Sequence, residues 1–214
     1  MNHCIGRPSS SGPAFVLASQ SPARLRVLRD AGIDPEVVVS GVDETAEADV
    51  EPAFLVKILA ERKAAAVAAR RPDALVLGCD SLLDLDGAPL GKPDSAEQAT
   101  QMWGRLSGRE AMLRTGHCLI DGPASRRVVG VASTLIRFGA PAPAELAAYV
   151  ASGEPLDLAG AFSIEGRGAP FVEGIDGDPS NVIGLSLPLL RRLLAELGLS
   201  ITGLWRPGKA VTPD

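Results

Sequence analysis

Short apolar runs alternate along this chain with stretches in which apolar residues recur every three or four positions. Phe15 to Ser19 is a short apolar run ending in polar residues, the pattern of a buried strand. Ser21-Pro22 then matches an N-cap with proline at the first helical position, leading into ARLRVLRDAG, which Gly32 stops. Glu36 to Ser40 reads as a second, β-branched strand. Pro52 opens a long helix, PAFLVKILAERKAAAVAARR, whose alanines favour helix and whose Arg70-Arg71 suit its C-terminal end. On it Lys63 falls at the edge of the apolar stripe and Arg62 nearer its middle. Ala74 to Cys79 is again a buried strand, and Leu82 to Gly87 alternates into an Asp-Gly turn as hairpins do.

Ser95 caps an amphipathic helix that runs to Leu106 and stops near Gly108. Ala111 to Ile120 and Val128 to Phe138 read as strands joined across DGPASR, and Ala142 to Ser152 as a helix. Gly160 to Ile175 is glycine-rich, with short strand-like pieces and loops, and Leu189 to Leu197 closes the fold as a helix. Strands alternating with helices predict an α/β protein with a mixed, twisted sheet and flanking helices. A single domain is expected over residues 14–205, with a floppy lead-in at 1–13 and a loose tail at 206–214.

Composition narrows the function classes. The 214 residues are 46% apolar and 22% charged, enough to bury a sizeable core, and no apolar run is long enough to span a membrane. The opening MNHCIGRPSSSGPA lacks the apolar region of a secretory signal, so a soluble, cytoplasmic protein is expected. Cys4, Cys79 and Cys118 have no metal or redox spacing and read as free thiols. A net charge of −5 and 4% aromatics disfavour a general nucleic-acid binder, which needs many cations and stacking platforms. A small anionic substrate needs only a few cations converging in one cleft.

Candidate chemistry follows the strands. In S-Q-S-P-A-R, Ser19, Ser21 and Arg24 surround a helix N-terminus, where hydroxyls and exposed N–H groups cradle phosphate. An ordinary capped helix with a surface arginine has the same local sequence. Asp43-Glu44 could hold Mg²⁺ or be solvated surface. Asp80, in G-C-D-S, ends a strongly apolar strand, where a carboxylate is costly unless paired, metal-bound or used in a turn. Lys92, between Gly91 and Pro93, suits a point charge at phosphate or a solvated turn, and the surrounding spacing is not that of a P-loop. His3 and His117 have no paired ligand spacing, so nucleophilic catalysis has no sequence handle.

Taken in order, LASQSPARLRVLRDAG, VDE, LAERKA, GCDSLLDLDGAPLGKPDSAEQA, SGREAMLRTGHCL, GAFSIEG and GDPSNVIGLSL resemble the Maf family over almost all of residues 15–197. The resemblance implies an elongated, two-lobed α/β fold related to inosine-triphosphate pyrophosphatases, a cleft between the lobes and a homodimer. It implies a nucleoside triphosphate pyrophosphatase that needs Mg²⁺ or Mn²⁺. By position, Asp80 matches the family's catalytic acid and metal holder, and Glu44 the acid that joins it at the metal. Ser19, Ser21 and Arg24 match the phosphate-binding first loop, and Lys63 and Lys92 the two lysines facing the phosphates.

Three positions depart from the family's patterns. Ala23 stands where its first motif commonly has arginine. Ser81 and Glu165 stand where the subgroup acting on dTTP and UTP has Thr and Gln. Glu165 instead resembles the subgroup acting on 7-methyl-GTP, which assigns Ser81 and Glu165 to substrate binding and turns the expected base away from pyrimidines. The family's association with septum formation leaves a rival reading, a non-catalytic nucleotide-binding regulator of cell division.

Overall fold

The computed structural model describes residues 13–43 and 50–206. The first twelve residues, Glu44 and the rest of 44–49, and the tail from 207 onward lie outside the described residues. The chain folds in the order β1 (Phe15–Leu17), α1 (Pro22–Asp30), β2 (Glu36–Val37), α2 (Pro52–Ala68), β3 (Leu75–Leu85), β4 (Ala88–Leu90) and α3 (Ala96–Leu106). It continues with β5 (Glu110–Asp121), β6 (Arg126–Phe138), α4 (Pro143–Ala151), β7 (Val172–Asp176), α5 (Pro179–Ile183) and α6 (Leu187–Glu196). Short 3₁₀ turns, including Glu154–Asp157 and Ala169–Phe171, fill the stretch between α4 and β7.

One seven-stranded sheet runs β2-β1-β3-β5-β6-β7, with β4 paired to β3. β1 is parallel to both β2 and β3, and the remaining pairs are antiparallel. The mixed α/β class expected from the sequence is therefore the class observed. The sequence divides residues 74–87 into a strand and a separate hairpin, whereas the structure runs one strand, β3, through all of 75–85. β5 pairs with β3 from Leu75↔Asp121 to Asp84↔Met112, so continuous pairing carries the strand across its polar residues. Asp80 thus sits in mid-strand and not at a strand end.

Side-chain alternation along β3 and β5 sorts the core onto two faces. One face meets α2, through Val76, Leu82 and Cys118 against Val56, Leu59, Ala60, Ala64 and Val67. The opposite face carries two separate clusters. Leu75, Leu77 and Leu119 pack under α1 and α6, and Leu83, Leu85 and Leu113 pack under α3 and α4. Trp103 anchors the second cluster, edge-on to Phe138, Tyr149 and Phe171, with its indole N–H donated to the Ala161 carbonyl at 2.8 Å. The two clusters on this face are separate half-cores on one sheet.

α2 approaches the sheet as closely as its backbone allows. A Cβ at Gly78 would stand 2.4 Å from the Ala60 carbonyl oxygen and 2.6 Å from the Ala64 nitrogen. That contact decides which side of α2 faces inward: Lys63 is 4% exposed, while Arg62 is exposed. The stripe expected from the sequence placed the two the other way round. Apolar counting ranks Arg62 by its neighbours, but the glycine at the crossing selects the face that carries Ala60, Lys63 and Ala64.

Candidate active site

The sheet has a built-in opening along one edge of β3. β1 ends at Leu17↔Leu77 and β4 begins at Leu83↔Leu90. Between them, residues 78–82 keep β5 on one side and, among the described residues, have no strand on the other. The N-terminus of α1 fills the space beside this gap. Ser21 is the ordinary cap foreseen for it: its hydroxyl accepts from the Arg24 N–H at 3.4 Å, and its own N–H donates to Ser19 Oγ at 3.1 Å.

Arg24 is not an ordinary surface arginine. Its guanidinium turns inward and donates through Nη1 to Ser19 Oγ at 3.2 Å, Nη2 to Ser81 Oγ at 2.9 Å and Nε to the Gly184 carbonyl at 2.8 Å. Ser81 shares a hydrogen bond with Thr115 across the β3–β5 pair at 3.0 Å, and Thr115 donates to the Asn181 carbonyl at 3.4 Å. Asn181 Nδ2 in turn donates to Thr134 Oγ1 at 3.1 Å. A polar seam of Arg24, Ser81, Thr115, Asn181 and Thr134 therefore runs across the sheet between the two apolar half-cores. Buried polar side chains persist where they satisfy one another, as most of these do.

His117 belongs to the same seam. Its Nδ1 pairs with the Thr115 carbonyl at 3.1 Å, and its Nε2 accepts the Ser186 N–H at 2.9 Å. Burial pushes its pKa down from 6.5 to about 4. The Thr115 carbonyl pulls it up, Arg24 pushes it further down and Asp178 pulls it up. The neutral ring, with the proton on Nδ1, fixes β5 to the start of α6.

On the α2 face of the same gap, Lys63 Nζ stands 2.6 Å from Asp80 Oδ1, both side chains being buried. Cys79 lies among these groups. Burial raises its thiol to about 12, with Arg24 and Lys63 pulling down and Asp80 pushing up, so it is an unreactive core residue as foreseen. Cys118 is likewise buried and raised to about 12, and Cys4 lies outside the described residues.

The Asp80 carboxylate at the gap, bonded to Lys63 at 2.6 Å, is the donor type a hard divalent cation takes, and Mg²⁺ is commonly held by one or two carboxylates together with the phosphates of a substrate. Among the described residues no group of three or more His, Cys, Asp or Glu forms a metal site by itself. Glu44, the second expected metal-holding acid, lies outside the described residues.

The structure joins Ser19, Ser21, Arg24 and Ser81 in one hydrogen-bonded group, with Lys63 and Asp80 on the other face of the same strand segment. Lys92 and Glu165 stay apart from it. Lys92 is exposed and lines a shallow groove of about 290 Å³ with Gln98, Gln101 and Arg105. Glu165 is exposed and ion-paired with Arg26 of α1. Thr115 and Asn181 were not singled out from the sequence, and His117 was set aside there for want of a paired ligand spacing. The available signal was parity, since Thr115 and His117 occupy the same inward positions of β5 as Leu113 and Leu119.

Comparison with known proteins agrees with this architecture. Residues 14–197 match the family described as Maf-like protein. The chain is 61% identical over 198 residues to a Streptomyces coelicolor protein named nucleoside triphosphate pyrophosphatase, covering 91% of this chain and 96% of that one. It is 54% identical over 204 residues to a Salinispora tropica protein of the same name, covering 93% of this chain and 90% of that one. A Mycobacterium sp. protein, again so named, is 54% identical over 203 residues, covering 89% and 97%. The chain belongs to the Maf-like protein family.

Proposed function

We propose that the chain is a nucleoside triphosphate pyrophosphatase, hydrolysing its substrate to a nucleoside monophosphate and pyrophosphate. The observation that carries this reading is the gap in the β3 edge, where Arg24 and the Ser19 and Ser81 hydroxyls adjoin the buried Lys63–Asp80 pair. Phosphoryl transfer asks little covalent work of a protein. It needs fixed cations, hydrogen-bond donors and an oriented water, and Arg24, Lys63 and the serine hydroxyls supply the first two at this gap.

Each residue then has a definable task. Arg24, held on three sides, and the Ser19, Ser21 and Ser81 hydroxyls bind phosphate oxygens, with no reorganisation of the arginine when substrate arrives. Lys63 fixes the Asp80 carboxylate and adds positive charge near the anhydride. Asp80 takes the proton of the attacking water. The water oxygen bonds to phosphorus as the bond to the bridging oxygen breaks, and pyrophosphate leaves with that electron pair. A divalent cation, Mg²⁺ or Mn²⁺, held by Asp80 and Glu44 would neutralise phosphate charge. Lys92 reaches the phosphates from the groove side when the triphosphate is bound.

Glu165 selects the base in this reading. An ionised carboxylate only accepts hydrogen bonds, which suits the paired N–H donors of guanine and opposes the carbonyls of uracil and thymine. The enzyme acts as a homodimer in the cytoplasm and binds no nucleic acid stably. No helix among the described residues is long and apolar enough to cross a membrane.

A catalyst and a nucleotide-binding regulator differ in what Asp80→Asn does. For a catalyst, nucleotide binding persists while pyrophosphate release falls by about a hundredfold or more. Wild-type protein that binds a nucleoside triphosphate yet releases no pyrophosphate from any of them would establish the regulator instead.

A further inference from the structure

The loop that carries Glu165 is shaped by a second acid. Glu154 begins the 3₁₀ turn Glu154–Asp157, and its carboxylate accepts two consecutive backbone donors, Arg167 N–H on Oε2 and Gly168 N–H on Oε1, both at 3.0 Å. The glycines of this loop are those the clamp requires. Gly166 has φ +63, and a Cβ there would stand 2.9 Å from Glu154 Oε2. A Cβ at Gly168 would stand 2.6 Å from the Tyr149 hydroxyl. Burial, and then the neighbouring Glu154 carboxylate, pushes the Tyr149 phenol well above its ordinary pKa, so it remains a neutral wall beneath the clamp.

Held from beneath, the loop projects Glu165 outward. The Glu165 N–H donates to Ser163 Oγ at 2.9 Å, and its carboxylate crosses to Arg26 of α1. Arg26 lies three residues after Ala23, on the same side of that helix. Glu165 thus stands between a fixed backbone and a single exposed cation. An exposed ion pair alone contributes little, so it does not set the loop's position. The two charge-assisted bonds at Glu154 do, because a bidentate carboxylate on consecutive amides fixes both their direction and their spacing.

We propose that Glu154 is the positioning residue for base selection, acting through the 165–168 backbone to hold the Glu165 carboxylate where it meets the base. This rests on the reading of Glu165 as the base-selecting group. A glutamine at 154 keeps one acceptor oxygen but turns an NH₂ donor toward the second N–H. The loop then loosens without losing the packing of the side chain. Base discrimination falls, while the phosphate machinery on α1, α2 and β3 is untouched.

The test combines kinetics with amide hydrogen exchange on the intact protein, comparing wild type, Glu154→Gln, Glu165→Gln and the double variant. In Glu154→Gln, exchange at the Arg167 and Gly168 amides accelerates by about tenfold or more. The ratio of kcat/KM for GTP over UTP collapses toward that of Glu165→Gln, through KM, with kcat within about twofold. The double variant is no less selective than either single one, because both act on the same carboxylate. Unchanged exchange at those two amides would overturn the clamp itself. Faster exchange with an unaltered base ranking in both single variants would overturn base reading by Glu165, and the selective role of Glu154 with it. An equal loss of kcat for every base, following a lowered melting temperature, would reduce Glu154 to a structural acid.

Discussion

Lys63 and Asp80 form a buried pair whose partners are costly to separate. Removing one charge from such a pair typically destabilises by about 3–5 kcal/mol, because the other loses that compensation. Asp80→Asn keeps an oxygen acceptor for Lys63, whereas Asp80→Ala does not. The alanine variant is therefore expected to melt well below the asparagine variant, while both lose turnover by about a hundredfold or more. Thermal unfolding beside initial rates checks this, and near-wild-type turnover of Asp80→Asn would remove Asp80 from the chemistry. His117 gives a second expectation, with a definite sign. Its folded pKa, about 4, lies below the ordinary 6.5, so the unfolded chain binds the proton more tightly. The stability it supplies is complete above pH 6.5 and is lost as pH falls toward 4, amounting to about 3 kcal/mol in all. Denaturant midpoints measured from pH 7 downward should show this slope in wild type and a shallower one in His117→Gln. Equal slopes would place the titration elsewhere. At this scale the sequence was partly legible. Ser21 could be read as a cap because capping is local, but the inward turn of Arg24 depends on Gly184, 160 positions away. Thr115 and His117 sit at inward positions of β5 between Leu113 and Leu119, and only the partners across the seam give them meaning.

Among the elements, β3 and α2 carry the site between them. The strand is continuous because β5 pairs along its length, while its other edge is left open between β1 and β4. The helix places Lys63 over Asp80 because Gly78 lets its backbone settle onto the sheet. Gly78→Ala would put a methyl group 2.4 Å from the Ala60 carbonyl oxygen, so α2 must move away. Overpacking of this kind costs about 1–3 kcal/mol, and it should lower activity further by drawing Lys63 from Asp80. Unfolding and rate measurements on Gly78→Ala and on Gly91→Ala, whose Cβ position is open, separate the effect from a general intolerance of glycine replacement. Equal behaviour of the two would contradict it. Helices with a strong apolar period and a serine cap, such as α3, were legible from the sequence, as was the β5–β6 hairpin. The five-residue α5 was not, since it is too short to show a period, although Asp178 caps it by accepting the Ser180 N–H at 2.9 Å.

Over the whole molecule, two apolar half-cores share one sheet and meet at a polar seam. Alternating strands and helices announced the mixed α/β class. The division of the core did not show in the sequence, because it arises where Ser81 and Thr115 come level across β3 and β5, with Thr134 one inward position further along β6, and interrupt one apolar face. A triphosphate bound at the open edge of β3 brings several negative charges to Asp80, so turnover should appear with added Mg²⁺ or Mn²⁺ and vanish in excess chelator. Full activity in chelator would refute the metal. A pyrophosphatase is defined by which phosphate bond it cuts, the one between the α- and β-phosphates. Phosphorus NMR of wild-type protein incubated with GTP and Mg²⁺ reads this directly, with Asp80→Asn as the control. Paired growth of pyrophosphate and GMP signals, absent from the control, is expected. Orthophosphate and GDP in their place would contradict it.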